Sequence, residues 1–252
     1  MKIVHLLAAT ALTVGLAACN QGGGGNETAA GGGSAPAPIA APNGDWSQAV
    51  TQTPEGGMLK GNPNAKVKVV EFASMTCGAC AAFATQDEPK LIDQYVKTGN
   101  VSFELRNFVR DPVDITMALV ARCAGATPQF FTLTNGMFAD QKAIFERIQA
   151  APPAELQQLQ SLPPTQQFPR TAQLAGLQEW AAQRGLPSAK TQACLSNQQE
   201  IDRLVQMNSD ASSQYQISGT PTFLVNNQVV ELQPGQTNWQ ALEGRVREAL
   251  GS

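Results

Sequence analysis

Val67-Lys68-Val69-Val70-Glu71-Phe72-Ala73, followed at once by Ser74-Met75-Thr76-Cys77-Gly78-Ala79-Cys80, is the stretch on which the fold turns. Its first half is β-branched and apolar apart from Lys68 and Glu71, and short enough for a buried strand. From Cys77 to about Lys97, alanines, Phe83, Leu91, Ile92, Tyr95 and Val96 fall at helical spacing, with a kink expected at Pro89. Val101 to Val109 alternates as a second strand does. Strand, helix, strand in that order is a βαβ unit, whose strands run parallel.

Cys77 and Cys80 stand one helical turn apart and can close a disulfide across that turn. At the helix start, Cys77 faces unsatisfied backbone N–H groups and the positive end of the macrodipole. Both favour thiolate, so its pKa is expected below the free value of about 8.5. Cys80 is expected to be more buried and to act as the resolving thiol. Half of a zinc site is the competing meaning of CxxC, but the only histidine is His5, and Cys123 and Cys194 lie apart. No metal and no cofactor is expected. A purely structural pair is the other alternative, and a strand-to-helix junction is an unusual place for one.

Glu71, mid-strand and six residues before Cys77, is expected to be a buried carboxylate of raised pKa that exchanges protons with Cys80. The alternative is a solvated glutamate on an edge strand. Gly219-Thr220-Pro221-Thr222 leads into a strand, where proline fits only at the beginning. A cis Thr220–Pro221 bond would present the Thr220 main chain to the CxxC sulfurs and shape a groove for an extended chain. An ordinary trans proline is the alternative.

Outward from this centre, residues 113–214 are rich in Ala, Gln, Leu and Glu and read as a helical block without strands. The five prolines between Pro152 and Pro169 read as an irregular break within it. Pro221–Val225 and Val229–Leu232 flank Asn226-Asn227-Gln228 as a hairpin, and Trp239–Leu250 closes the chain as a helix. The order is an α/β thioredoxin fold, residues 44–112 and 215–252, with a helical domain, residues 113–214, inserted between its βαβ and ββα halves.

The 252 residues are 42% hydrophobic, enough for a packed core. A net charge of −3 without a basic stripe argues against nucleic acid as a partner. Lys2 precedes an apolar run, Ile3 to Leu16, too short to span a bilayer. It ends Leu16-Ala17-Ala18-Cys19, which resembles the bacterial lipobox. Residues 1–18 are therefore expected to be a cleaved signal peptide and Cys19 the lipidated first residue, with plain cleavage after Ala18 as the alternative. Cys19 then accounts for the odd one among five cysteines. Residues 19–43 are rich in Gly, Ala and Pro and read as a tether with a reach of roughly 25–30 Å. Loss of His5 with the signal peptide leaves no histidine for acid–base chemistry. Cys123 and Cys194 fall on helical patterns of the insert and are expected to form a structural disulfide. A second redox relay and free thiols are the alternatives.

Val67–Phe83, the helical insert and Gly219–Asn226 together resemble the DsbA family of periplasmic oxidoreductases, over residues 44–250. The resemblance implies Cys77 as nucleophile, Cys80 as resolver, Glu71 as buried acid and Pro221 as cis proline beside Thr220. It also implies thiol–disulfide exchange with unfolded or cysteine-containing envelope proteins. The protein would be lipid-anchored on the periplasmic side of a bacterial membrane and serviced by a membrane redox partner. Gly78-Ala79 stands where DsbA-like sites often carry Pro-His, which implies a weaker oxidant. Thr-Cys-Gly-x-Cys with threonine before the proline is similar to the isomerases DsbC and DsbG. Those are dimers built by an N-terminal domain; a tether stands in its place here, and a monomer is expected. A reductase or isomerase kept reduced by its partner, and a chaperone-like binder of unfolded chains, are the alternatives.

Overall fold

Two short strands that the hydrophobic pattern did not announce begin the folded part. β1 (Val50–Gln52) and β2 (Met58–Gly61) form an antiparallel hairpin. Neither is long enough to display a period of its own. The computed structural model describes residues 35–252. The signal peptide, Cys19 and the first part of the tether lie outside the described residues. The tether's last residues are held down: the Ile39 N–H donates to Thr98 O at 2.7 Å, and Asn100 Nδ2 donates to Ala37 O at 2.9 Å.

β3 (Val67–Ala73) is buried everywhere except Lys68. It pairs in parallel with β4 (Val101–Asn107), from Val67 opposite Val101 to Ala73 opposite Asn107. Two helices, α1 (Gly78–Gln86) and α2 (Glu88–Gln94), cross between them. The expected single helix breaks at Asp87 rather than at Pro89. Proline at the second position of α2 needs no N–H partner and starts that helix instead of bending it. β4 ends at Asn107, two residues short of the expected strand.

The insert holds α3 (Pro112–Arg122), α4 (Pro128–Ala139), α5 (Gln141–Gln149) and α6 (Pro153–Leu159), then α7 (Pro164–Leu174), α8 (Leu177–Ala182), α9 (Ser188–Leu195) and α10 (Gln198–Tyr215). The proline-rich stretch is not an irregular break. Pro153 and Pro164 open α6 and α7, where the missing N–H would have been unsatisfied anyway. Pro169 lies inside α7 and deprives the Thr165 carbonyl of its helical donor; Ser196 Oγ donates to that carbonyl instead, at 3.2 Å.

β5 (Thr222–Val225) and β6 (Gln228–Val229) form the hairpin, turned by Asn226 and Asn227 at φ 49° and 65°. β6 is shorter than expected, and Leu232 beyond it is exposed. The helix α11 (Asn238–Leu250) ends the chain. The sheet order is β1-β2-β4-β3-β5-β6, with β5 antiparallel to β3. One face packs Val69, Phe103 and Leu105 into a core continuous with α1, α4 and the fully buried Met117–Ala121 of α3. On the other face Val70, Phe72 and Leu224 meet Ala211 and Ile217. Both faces of β3 are therefore dry, which explains why its run is almost wholly apolar.

Candidate active site

β3 and β4 end side by side, and the chain leaves both at the same edge of the sheet. There Cys77 serves as N-cap of α1, with extended backbone (φ −91°, ψ 121°), and it is 8% exposed while Cys80 is fully buried. The Thr220–Pro221 bond is cis, and the Cys77 thiol donates to the Thr220 carbonyl at 3.2 Å. The Thr220 Oγ1 beside it is buried with no hydrogen-bond partner among the described residues, which leaves it available to a sulfur anion. Burial pushes the Cys77 thiol up, but the Thr220 side chain, the Cys80 amide and thiol and the Ala79 amide together outweigh it and hold the pKa below its ordinary value. Of these, the Cys80 and Ala79 amides are unsatisfied N–H groups of a helix start.

Cys80 is the opposite case. Burial first, and then the Glu71 carboxyl, push its thiol far above the ordinary range. Glu71 is 1% exposed in the middle of β3. Burial, followed by the charges of Glu88 and Cys77, raises it well above a normal carboxylate. A carboxyl biased toward its neutral form therefore stands near a thiol that ionises only with difficulty. Its Oε1 is buried with no hydrogen-bond partner among the described residues.

The structure thus gathers Cys77, Cys80, Thr220 and Pro221 beyond the C-terminal end of β3, with Glu71 within that strand. Cys123 and Cys194 are joined elsewhere, within the insert, where their disulfide links the C-cap of α3 to α9 with Cα atoms 5.7 Å apart. Cys19 lies outside the described residues. Among those residues no group of three or more His, Cys, Asp or Glu is placed to hold a metal, and no helix is long and apolar enough to cross a membrane.

Several neighbours of the pair escaped sequence reasoning. Glu88 opens α2 fully buried, 3.7 Å from Lys60 Nζ, with Asn135 Nδ2 donating to it at 3.1 Å. Gln141, the first residue of α5, donates from Nε2 to the Met75 carbonyl at 2.9 Å and to the Cys77 carbonyl at 3.2 Å. Asp114 and Arg110 reach the loop before Cys77 from the start of α3. Polar residues at helix starts look like caps in a sequence, and no local pattern distinguishes a cap from a contact across the fold. Beside Thr76 opens a cavity of about 470 Å³, walled by Val113, Phe145, Ile148, Leu156 and Leu159.

The sequence profile of the thioredoxin family matches residues 53–242. The protein-disulfide isomerase of Novosphingobium aromaticivorans superposes with a TM-score of 0.69 and 29% identity, covering 82% of this chain and 100% of that one. The alpha-DsbA1 of Wolbachia pipientis shares the fold at a TM-score of 0.61 and 21% identity, covering 79% of this chain and 92% of that one. A Rickettsia felis protein named as a protein-disulfide oxidoreductase is 23% identical over 197 residues, 78% of this chain and 61% of its own. A Rickettsia conorii protein of the same name is 33% identical over 87 residues, 34% of this chain and 31% of its own. The chain therefore spans from about a third to three-fifths of the length of these two relatives.

Proposed function

Since this chain belongs to the thioredoxin family, we propose that it is a thiol–disulfide oxidoreductase acting on protein cysteines of the bacterial cell envelope through Cys77 and Cys80. The observation that carries this is the asymmetry of the pair. Cys77 is favoured as thiolate by the Thr220 side chain and by the donors of a helix start, while Cys80 is held as thiol behind it. A nucleophile and leaving group at one sulfur and a resolving thiol at the other is what exchange requires.

In the oxidising direction a substrate thiolate attacks Cys77 Sγ of the disulfide form. The Cys77–Cys80 bond breaks, Cys80 leaves with the electron pair, and Glu71 supplies the proton it needs. A second substrate thiol, losing its proton to solvent, then attacks the substrate sulfur of the mixed disulfide and expels Cys77 as thiolate. The substrate loses two electrons and the pair gains them. The Thr220 carbonyl lies where an extended substrate chain would run beside the sulfur, and the apolar cavity beside Thr76 suits the side chains of an unfolded polypeptide. Re-oxidation, or reduction in the opposite direction of flow, falls to a membrane redox partner. The lipobox-like Leu16–Cys19 supports anchoring on the periplasmic side through Cys19, with the chain acting as a monomer.

The oxidised protein should restore activity to a reduced, unfolded ribonuclease in the absence of glutathione, and Cys77→Ala should abolish this while leaving the fold intact. Folding of the substrate at equal rates with Cys77→Ala would sink the proposal. Intact mass of the protein extracted from membranes should begin at Cys19 with a diacylglycerol adduct; an unmodified start at Cys19 would refute the anchor.

A further inference from the structure

Ser74, Met75 and Thr76 are the only residues between β3 and Cys77, and two donors of this loop converge on one carboxylate. Asp114 Oδ1 accepts from the Met75 N–H at 2.7 Å, and Oδ2 accepts from Ser74 Oγ. The same oxygen accepts from the Arg110 N–H at 3.0 Å. The Arg110 guanidinium does not pair with Asp114. It donates to Ser74 Oγ at 2.8 Å and to Thr76 Oγ1 at 3.0 Å, and Thr76 Oγ1 donates to Asp111 Oδ2 at 2.9 Å. The loop in turn meets the start of the CxxC turn: the Cys77 N–H donates to Ser74 O at 3.1 Å.

Asp114 is not needed to start α3. Asp111 is the N-cap and already accepts from the Val113 and Asp114 N–H groups at 2.9 Å each. Nor is a fully buried carboxylate without a cation on it a favourable way to build a fold. A group retained against that cost has a role elsewhere. We propose that Asp114 is a positioning residue for the redox pair, setting from the helical insert the three-residue loop that aims the Cys77 and Cys80 sulfurs. This rests on Cys77 and Cys80 being the exchanging pair.

The clamp is sensitive to protons. Burial pushes Asp114 up, only partly offset by its donors, to about 6. The charged groups that face it are Asp111 and Arg110, from its own turn; the loop after β3 presents hydroxyls and amides. Below about pH 6 Asp114 gains a proton, one of its oxygens becomes a donor, and the converging donors lose their shared acceptor. Misplaced sulfurs then react more slowly even when Cys77 is thiolate.

The test follows the full chain by thiolate absorbance at 240 nm and by its rate of exchange with glutathione disulfide, from pH 4.5 to 9. In the wild-type protein the rate per thiolate should fall below about pH 6. Asp114→Asn, which can still accept from Met75, should lose this bend and exchange about tenfold more slowly at pH 7.5. Ser74→Ala leaves Asp114 in place, and should exchange more slowly while keeping the bend. A bend that persists in Asp114→Asn, with only the melting temperature changed, overturns the proposal. Should Asp114→Asn fail to fold, a wild-type rate per thiolate that stays flat through pH 6, or an unaltered rate in Ser74→Ala, overturns it equally. Absence of any exchange in the wild type overturns the assignment of the pair, and this proposal with it.

Discussion

In the proposed exchange, Glu71 is costly to the fold and useful to the site. Its carboxyl is 1% exposed, its Oε1 lacks a partner among the described residues, and its neighbours on the same face of β3 are Val69 and Ala73. Removing a buried polar group that nothing satisfies stabilises a protein by about 1–3 kcal/mol. Glu71→Leu should therefore raise the urea midpoint. The sign with pH follows from the raised pKa. Above the unfolded value of about 4.3, the native state binds more protons than the unfolded chain, so wild-type stability declines as pH rises toward the folded pKa. The advantage of Glu71→Leu should grow over the same range. Exchange should slow in that variant, because Cys80 then leaves without a nearby acid. An advantage of Glu71→Leu that stays the same at pH 5 and pH 8 would refute the raised pKa of Glu71.

Among the elements, α7 carries the plainest local conflict. Pro169 lies in its interior, and the helix survives because Ser196, at the end of α9, donates to the Thr165 carbonyl that proline orphans. Ser196→Ala should cost about 1 kcal/mol in chemical denaturation. In a Pro169→Ala background the backbone N–H restored at that position takes over the carbonyl, and the same Ser196→Ala change should become nearly neutral. A double-mutant cycle measures the difference, and additivity of the two changes would show that the contact is incidental.

Across the whole molecule, the insert and the sheet share one core. Phe103 of β4 lies 6.1 Å from Phe131 of α4, ring to ring, and Met117–Ala121 of α3 are buried in the same cluster. The unit is therefore expected to unfold cooperatively. The Cys123–Cys194 bridge, closing 71 residues of sequence, restricts the unfolded chain most. In the chain-entropy model its removal costs about 4 kcal/mol. The double variant Cys123→Ala, Cys194→Ala should lose about that much stability yet exchange with glutathione at close to the wild-type rate at 25 °C, since neither sulfur stands at the Cys77 edge. A large loss of exchange with the fold intact would instead mark the bridge as a relay.

The sequence by itself determined the βαβ core, the helical insert and the Thr220–Pro221 segment, because periodic burial and proline chemistry are written in neighbouring residues. It also singled out the CxxC pair and the mid-strand Glu71, whose types are unusual for their positions. The β1–β2 hairpin was not legible, since three- and four-residue strands display no period. Nor was the role of the prolines between 152 and 169, two of which open helices while Pro169 relies on a donor beside α9. Asp114, Arg110, Gln141 and Glu88 were equally silent. Each acts on the loop or the buried acid from far along the chain, Gln141 across 66 positions. Only the tertiary structure decides such contacts, because parallel pairing of β3 and β4 is what brings the ends of two strands, and the loops that follow them, to a single edge.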